Sequence, residues 1–170
     1  GKTLASGGSD NTVRLWDLDG DTEAIELAKF EQNVTSVAFS PDGSMLAAGS
    51  ADPLFRIRTG DVKVFDVKTG KERPGAQWAR QGAMSVAFSP DGLLYVSGGS
   101  RSTGLKATSN AFQRNFAGVE DAFLAGFTAD LQGVPFLSYA GGSDEDISRA
   151  LAIAGSGKIA IAGHTASHNF

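Results

Sequence analysis

One heptapeptide occurs twice without change, as Val37-Ala38-Phe39-Ser40-Pro41-Asp42-Gly43 and as Val86-Ala87-Phe88-Ser89-Pro90-Asp91-Gly92. A short apolar run closed by Ser-Pro-Asp-Gly is a strand that enters a tight hairpin. Proline presets φ at the first turn position, and glycine supplies a positive φ near the turn's end. Seven residues returning at an interval of 49 mark a repeat architecture. Along the strand, Val37 and Phe39 share one face and Ala38 takes the other. A strand that is apolar or small on both faces is buried from both sides, as stacked small sheets would bury it.

The remaining segments fall into the same unit. Thr3–Ser6 and Thr12–Leu18 read as strands around the turn at 7–11, and Asp61–Val67 matches the second of them, with Phe65 in place of Trp16 and Asp66 in place of Asp17. Ala24–Phe30 has a composition that also allows a short helix, but the repeat demands a strand. Asp121–Leu131 and Pro135–Tyr139 are two further strands. Ser148–Ala154 and Lys158–Thr165 repeat the opening pair in degenerate form, with Leu151 on Val86, Ile153 on Phe88, Gly157 on Gly92, Ile161 on Val96 and Gly163 on Gly98. If the strands of a unit are a to d, the chain runs b-c-d, a-b-c-d, a-b-c-d, a-b. Its divisions fall at 1–33, 34–82, 83–146 and 147–170 within a single domain.

Composition narrows the function classes. Cysteine is absent, which excludes disulfides, thiolate chemistry and Cys-ligated zinc. The net charge of −4 comes without a basic stripe, so a nucleic-acid partner is not expected. No apolar run reaches the roughly 18 residues of a membrane span. No signal peptide precedes Gly1, and the chain opens directly in a turn, so it reads as a fragment. The absence of cysteine fits a reducing or an oxidising compartment, and localisation stays unassigned.

Candidate site residues each have an ordinary reading beside a functional one. His164 and His168 lie four apart, a spacing that suits a metal on a helix. Here they sit at a strand end and in the loop after it, without a third ligand, so a solvated or turn role is expected. Asp144, Glu145 and Asp146 offer the clustered oxygens that calcium favours. They lack its alternating spacing, and a solvated turn is expected. Asp10, Asp42, Asp52 and Asp91 follow hairpin grammar. The Gly-rich stretches at 7–9 and 98–100 lack a Walker pattern. No serine or threonine joins a plausible triad. No catalytic, cofactor-binding or metal residue is assigned, and an enzyme is not expected. Two insertions stand out, 53–60 with Phe55, Arg56, Ile57 and Arg58, and 101–120 with Phe112, Arg114 and Phe116. Apolar and arginine side chains of this kind either form an interaction surface or fold over a sheet edge and cover it.

LASGGSDNTVRLWDL at 4–18 and SVAFSPDG at 36–43 and 85–92 resemble WD-repeat propellers, over about residues 1–100. NAFQRNFAGVEDAFLAGFTADL at 110–131, FLSYAGGSDED at 136–146 and IAIAGHTASHNF at 159–170 resemble a different bacterial propeller repeat, the seven-bladed or SBBP type. The third unit joins a WD-like a-b pair to an SBBP-like c-d pair, a mixture that suggests recombination, natural or in the laboratory. The resemblance implies an all-β fold of four-stranded antiparallel propeller blades, about three and a quarter per chain. It also implies a blade-bracing tetrad, of which Ser6, Asp10 and Trp16 match in the first unit, Asp52 in the second and Ser97 in the third. Propellers close with about four to eight blades. The chain is therefore expected to act as a non-catalytic scaffold or protein-interaction module that self-associates, most simply as a homodimer. In the closure expected, the C-terminal a-b pair and the N-terminal c-d pair share one mixed blade. The alternative is a carbohydrate- or small-ligand-binding fragment.

Overall fold

The computed structural model describes residues 2–20, 23–52, 60–75 and 82–170. Thirteen strands occur among them: β1 (Thr3–Gly7), β2 (Thr12–Asp17), β3 (Ile25–Lys29), β4 (Val34–Phe39), β5 (Met45–Ser50), β6 (Val62–Asp66), β7 (Glu72–Arg73), β8 (Ala83–Phe88), β9 (Leu94–Ser100), β10 (Asp121–Phe127), β11 (Phe136–Ala140), β12 (Asp146–Ile153) and β13 (Ile159–Thr165). They form antiparallel meanders of three, four, four and two strands, and the described residues contain no helix. The architecture is all-β, with the four-stranded sheets of propeller blades. The ambiguous stretch after Ala24 is a strand because β2 offers it an edge, pairing Val13 with Ala28 and Leu15 with Ile25.

One glycine position turns each a-b hairpin, although the closing bond runs from Ser40 to Met45 in the first and over one residue fewer, Ser89 to Leu93 and Ala154 to Lys158, in the other two. Gly43, Gly92 and Gly157 all have positive φ, at 71°, 86° and 79°. In each turn the glycine N–H donates to the carbonyl three residues earlier, Ser40, Ser89 or Ala154. Ser40 and Ser89 add a side-chain bond to Asp42 and Asp91, at 2.6 and 2.5 Å. The third copy has Ala154 there, so it keeps the backbone geometry without the side-chain bond.

Strand c of the third sheet is shorter than its composition suggests. β10 ends at Phe127, and Thr128–Gly133 folds as another turn of the same kind. Thr128 Oγ1 reaches Asp130, as Ser40 reaches Asp42. Leu131 takes the left-handed position that Gly43 holds, with φ 61°. The apolar Leu131 prolonged the strand-like pattern, and the Thr-x-Asp turn overrides it.

Adjacent sheets stack face to face. Val13, Leu15 and Phe30 of the first unit pack on Val34, Leu46, Ala48 and Phe65 of the second. Met45, Ala47, Val62 and Val64, from the other face of that second sheet, pack on Val86, Leu94, Val96 and Phe123 of the third. β5 is thus buried throughout, with alternate residues entering two cores. The faces expected for β4 hold as well. Val37 and Phe39 pack on the first core and Ala38 on the second.

A β-bulge recurs at one place in every strand a, at Val34/Ser36, Ala83/Ser85 and Ser148/Ala150. It aims the serine of SVAFSPDG at the next sheet. Ser36 Oγ accepts from the Val86 N–H at 3.1 Å, and Ser85 Oγ accepts from the Leu151 N–H at 3.2 Å. Val86 and Leu151 are the same position of successive units, so one hydrogen bond is used twice as a tie between blades.

Candidate functional site

The register brings out a position that every sheet shares. Leu46 pairs with Phe65, Leu94 with Phe127 and Leu4 with Trp16, in each case across strands b and c. In the second and third sheets this pair is fully buried against the preceding blade. In the first sheet Leu4 is 51% exposed and Trp16 40%, and Leu18, two residues on, is 59% exposed. The opposite end of the stack has a different surface. β12 and β13 pair Ala150 with Ala162 and Ala152 with Ala160, and all four alanines are exposed. Their register partners in the second sheet include Ala47 and Ala38, which sit in the core between blades. One end of the stack therefore carries large apolar side chains and the other a platform of small ones.

The tetrad-like residues occupy separate settings. Trp16 Nε1 donates to Ser6 Oγ at 2.9 Å, which joins strands b and c of the first sheet. Asp10 serves its own turn, taking the Thr12 N–H and hydroxyl on Oδ1 and Arg14 on Oδ2 at 2.7 Å. These bonds hold its carboxyl down at about 2, the Arg14 bond having the largest effect. Asp52 is half-buried just beyond β5. Ser97 is fully buried, and Ser148 Oγ meets its hydroxyl at 2.9 Å across the third and fourth sheets.

Phe55, Arg56, Ile57 and Arg58 lie outside the described residues. The 101–120 segment runs along the outer edge of β11. Thr108 N–H donates to the Leu137 carbonyl at 3.0 Å, and Tyr139 N–H donates to the Gln113 carbonyl at 3.1 Å. Phe116 meets the Tyr139 ring edge-on at 5.8 Å, Arg114 bonds the Ser109 carbonyl, and Phe112 is exposed.

The acidic turn expected to be solvated is in part interior. Asp144 is exposed, but Asp146 is fully buried and opens β12. Its Oδ2 accepts from the Gly142 N–H and the Ser167 hydroxyl, both at 2.7 Å. Burial pushes this carboxyl up, but hydrogen bonds led by Thr165 outweigh that and leave it lowered. Asp121, equally buried, accepts from Gln113 Nε2, Ala117 N–H and Gly118 N–H. Here burial dominates and raises the carboxyl, and the Asp146 charge adds to it. Glu120, also interior, takes Arg101 Nε at 3.1 Å. Asp121 and Glu120 thus anchor the long b-c connection, and Asp146 anchors the segment at Ser167, roles that turn-like composition hid. Among the described residues no group of three or more His, Asp or Glu is arranged to hold a metal ion. His164 is exposed in β13, one residue before its end, and His168 lies exposed beyond it.

A cleft of about 120 Å³ separates β10 from the fourth sheet and is lined by Ala122, Ile147, Ile161 and Phe170 among others. That is below the roughly 300 Å³ at which small-molecule pockets begin. A second cleft, about 370 Å³, opens beside the first hairpin between Lys2, Phe39, Pro41 and Val67. The carboxylate there, Asp42, is already engaged by Ser40 and Ser44. No helix among the described residues is long and apolar enough to cross a membrane.

The family described as WD domain, G-beta repeat matches residues 1–17 and 25–57. Coronin-7 of Rattus norvegicus is 36% identical over 81 residues, 45% of this chain and 8% of that protein. Eukaryotic translation initiation factor 3 subunit I of Coccidioides immitis (strain RS) is 42% identical over 67 residues, 39% of this chain and 19% of that protein. Periodic tryptophan protein 2 homolog of Schizosaccharomyces pombe is 35% identical over 72 residues, 42% of this chain and 8% of that protein. The chain thus spans less than a fifth of the length of each of these relatives. WD repeats are recognised in its N-terminal part.

Proposed function

We propose that this chain is a non-catalytic propeller scaffold, a protein-interaction module that self-associates to complete its ring. The observation that carries the reading is the exposure of Leu4 and Trp16 at a register position that is buried between blades in the next two sheets. Large apolar side chains presented together on a sheet face mark an interaction surface. The WD family, whose repeats the N-terminal part carries, consists in general of scaffolds without catalytic activity. The loop residues Phe112, Arg114 and Phe116 form a second contact region in this reading, with Phe112 as its exposed apolar side chain.

The joining of WD-type to SBBP-type sequence is read here as recombination. A change of bracing chemistry supports it. The first sheet uses a Ser6–Trp16 bond, and the third and fourth use buried Asp121 and Asp146. Analytical ultracentrifugation over a hundredfold concentration range tests the scaffold reading. The expected result is a concentration-dependent homodimer or larger ring. A chain that stays monomeric throughout would overturn it.

A further inference from the structure

We propose that the 101–120 segment is an edge guard: it occupies, within the chain, the outer edge of β11, which would otherwise take the same strand of a second copy. The proposal is independent of whether copies of the chain assemble into a ring.

The backbone groups of β11 show why the edge needs an occupant. In an antiparallel sheet, alternate residues of an outer strand turn their N–H and C=O away from the neighbouring strand. In β11 these are Leu137 and Tyr139, and both are met. Leu137 N–H donates to Thr108 Oγ1 at 3.1 Å, and its carbonyl accepts from the Thr108 N–H at 3.0 Å. Tyr139 N–H donates to the Gln113 carbonyl at 3.1 Å, and its carbonyl takes the Ser138 hydroxyl at 2.8 Å. The alternation continues past the strand, where Gly141 N–H donates to Gln113 Oε1 at 2.8 Å. On the other side, Pro135 has no N–H to satisfy.

The occupant is not another strand. Thr108 and Gln113 touch β11 on either side of a turn, closed by the Ala111 N–H to the Thr108 carbonyl at 3.1 Å. Side chains supply part of the bonding, so the segment ends the ladder without offering a new one. It is also fastened at its base. Arg101 Nε meets the buried Glu120 at 3.1 Å, and Asp121 takes Gln113 Nε2 and the N–H groups of Ala117 and Gly118. Near its start, Tyr139 Oη accepts from the Leu105 N–H at 3.0 Å and donates to the Ser102 carbonyl at 2.6 Å.

The last strands of the first two sheets carry protections of their own. β7 is two residues long, and β3 places Glu26 and Lys29 in exposed positions. Short length and charge are ordinary ways to blunt a sheet edge. β11 has neither: it is five residues long, FLSYA, without a charge. Such an edge is self-complementary. Two copies related by a two-fold axis can pair β11 to β11, antiparallel, in an isologous contact. A second copy is therefore the occupant that the guard keeps out.

Ser100 and Asp121 are register partners, so an Asn-Gly turn in place of residues 102–119 can join β9 to β10. This shortened variant is expected to fold, by circular dichroism, and to sediment at a larger mass than wild type at equal concentration. A synthetic peptide of residues 104–118 is expected to return it to the wild-type mass by taking the edge back. A folded shortened variant with the wild-type mass would overturn the proposal, and so would association that the peptide leaves unchanged. Hydrogen exchange on the intact chain tests it even where the shortened variant does not fold. The Leu137, Tyr139 and Gly141 amides are expected to be protected in wild type. In Thr108→Val/Gln113→Ala they should exchange more than about tenfold faster, with Leu124 of β10 unchanged. Exchange of these amides at the unprotected rate in wild type, or at one rate in both proteins, would overturn the guard. A strictly monomeric wild type would overturn the scaffold reading and leave this inference standing.

Discussion

Leu131 meets two demands at once. It is almost fully buried in the core between the second and third sheets, and its backbone has a positive φ of 61°. Leu131→Ala is expected to cost about 2–4 kcal/mol in urea unfolding. Leu131→Gly removes still more side chain but relieves roughly 1–2 kcal/mol of left-handed strain, so it should be no worse than the alanine variant. Asp121 is the other residue that the surrounding fold decides. Asp121→Ala strands three donors, from Gln113, Ala117 and Gly118. The expected loss is about 2–4 kcal/mol, whereas the exposed Asp144→Ala should stay within about 0.5 kcal/mol. The two classes of carboxylate also titrate in opposite directions. Asp42 is held at about 2, first by Ser40 and then by Ser44. Its contribution is present above the ordinary carboxylate value and is lost as pH falls through about 2. Asp121 is raised by burial, so the folded state holds its proton more tightly than the unfolded chain. Its effect on stability therefore becomes unfavourable as pH rises through the folded value and is relieved on acidification. Carboxyl-detected NMR titration should place Asp121 above the ordinary aspartate range and Asp42 well below it; the reverse order would contradict this assignment.

At the scale of the strand, equal register does not mean equal energy. Leu94 and Leu4 hold the same position of their sheets, one fully buried between blades and the other half exposed. Leu94→Ala should cost about 2–4 kcal/mol in the monomer, and Leu4→Ala should stay within about 0.5 kcal/mol. A denaturation series on dilute protein separates them. Glycines at the a-b contact are the stricter element. A Cβ on Gly163 would stand 1.9 Å from the Ile147 carbonyl oxygen, and one on Gly98 would stand 2.1 Å from that of Gly82. The equivalence of these two glycines is visible in the sequence, and its cause is the close approach of the backbones. Gly163→Ala should cost on the order of 3 kcal/mol and speed hydrogen exchange in β12 and β13.

For the whole molecule, strand order and turn positions follow from local grammar. An apolar run, a Ser-x-Asp turn and a left-handed glycine recur at intervals that any later tertiary contact must accept, and the strands of the a-b hairpins fall where that grammar puts them. The degenerate fourth unit was legible for the same reason, because the backbone bonds of its turn need only Gly157 and no serine or aspartate. Less of the candidate site was legible. Asp146 and Asp121 have the composition of turns, and only the return of Ser167 and the 113–118 segment over them makes them interior. The Leu4–Trp16 face was likewise hidden. By sequence, Trp16 and Phe65 are equivalent aromatic residues in equivalent strands, and neither strand says which of the two is covered. Local sequence determined the strands, the hairpins and which residues share a face, because turn chemistry and the two-residue period act over a few residues. The stacking of sheets alone decided which of those faces is covered, because burial depends on the neighbour that lies against a face and not on the residues that compose it.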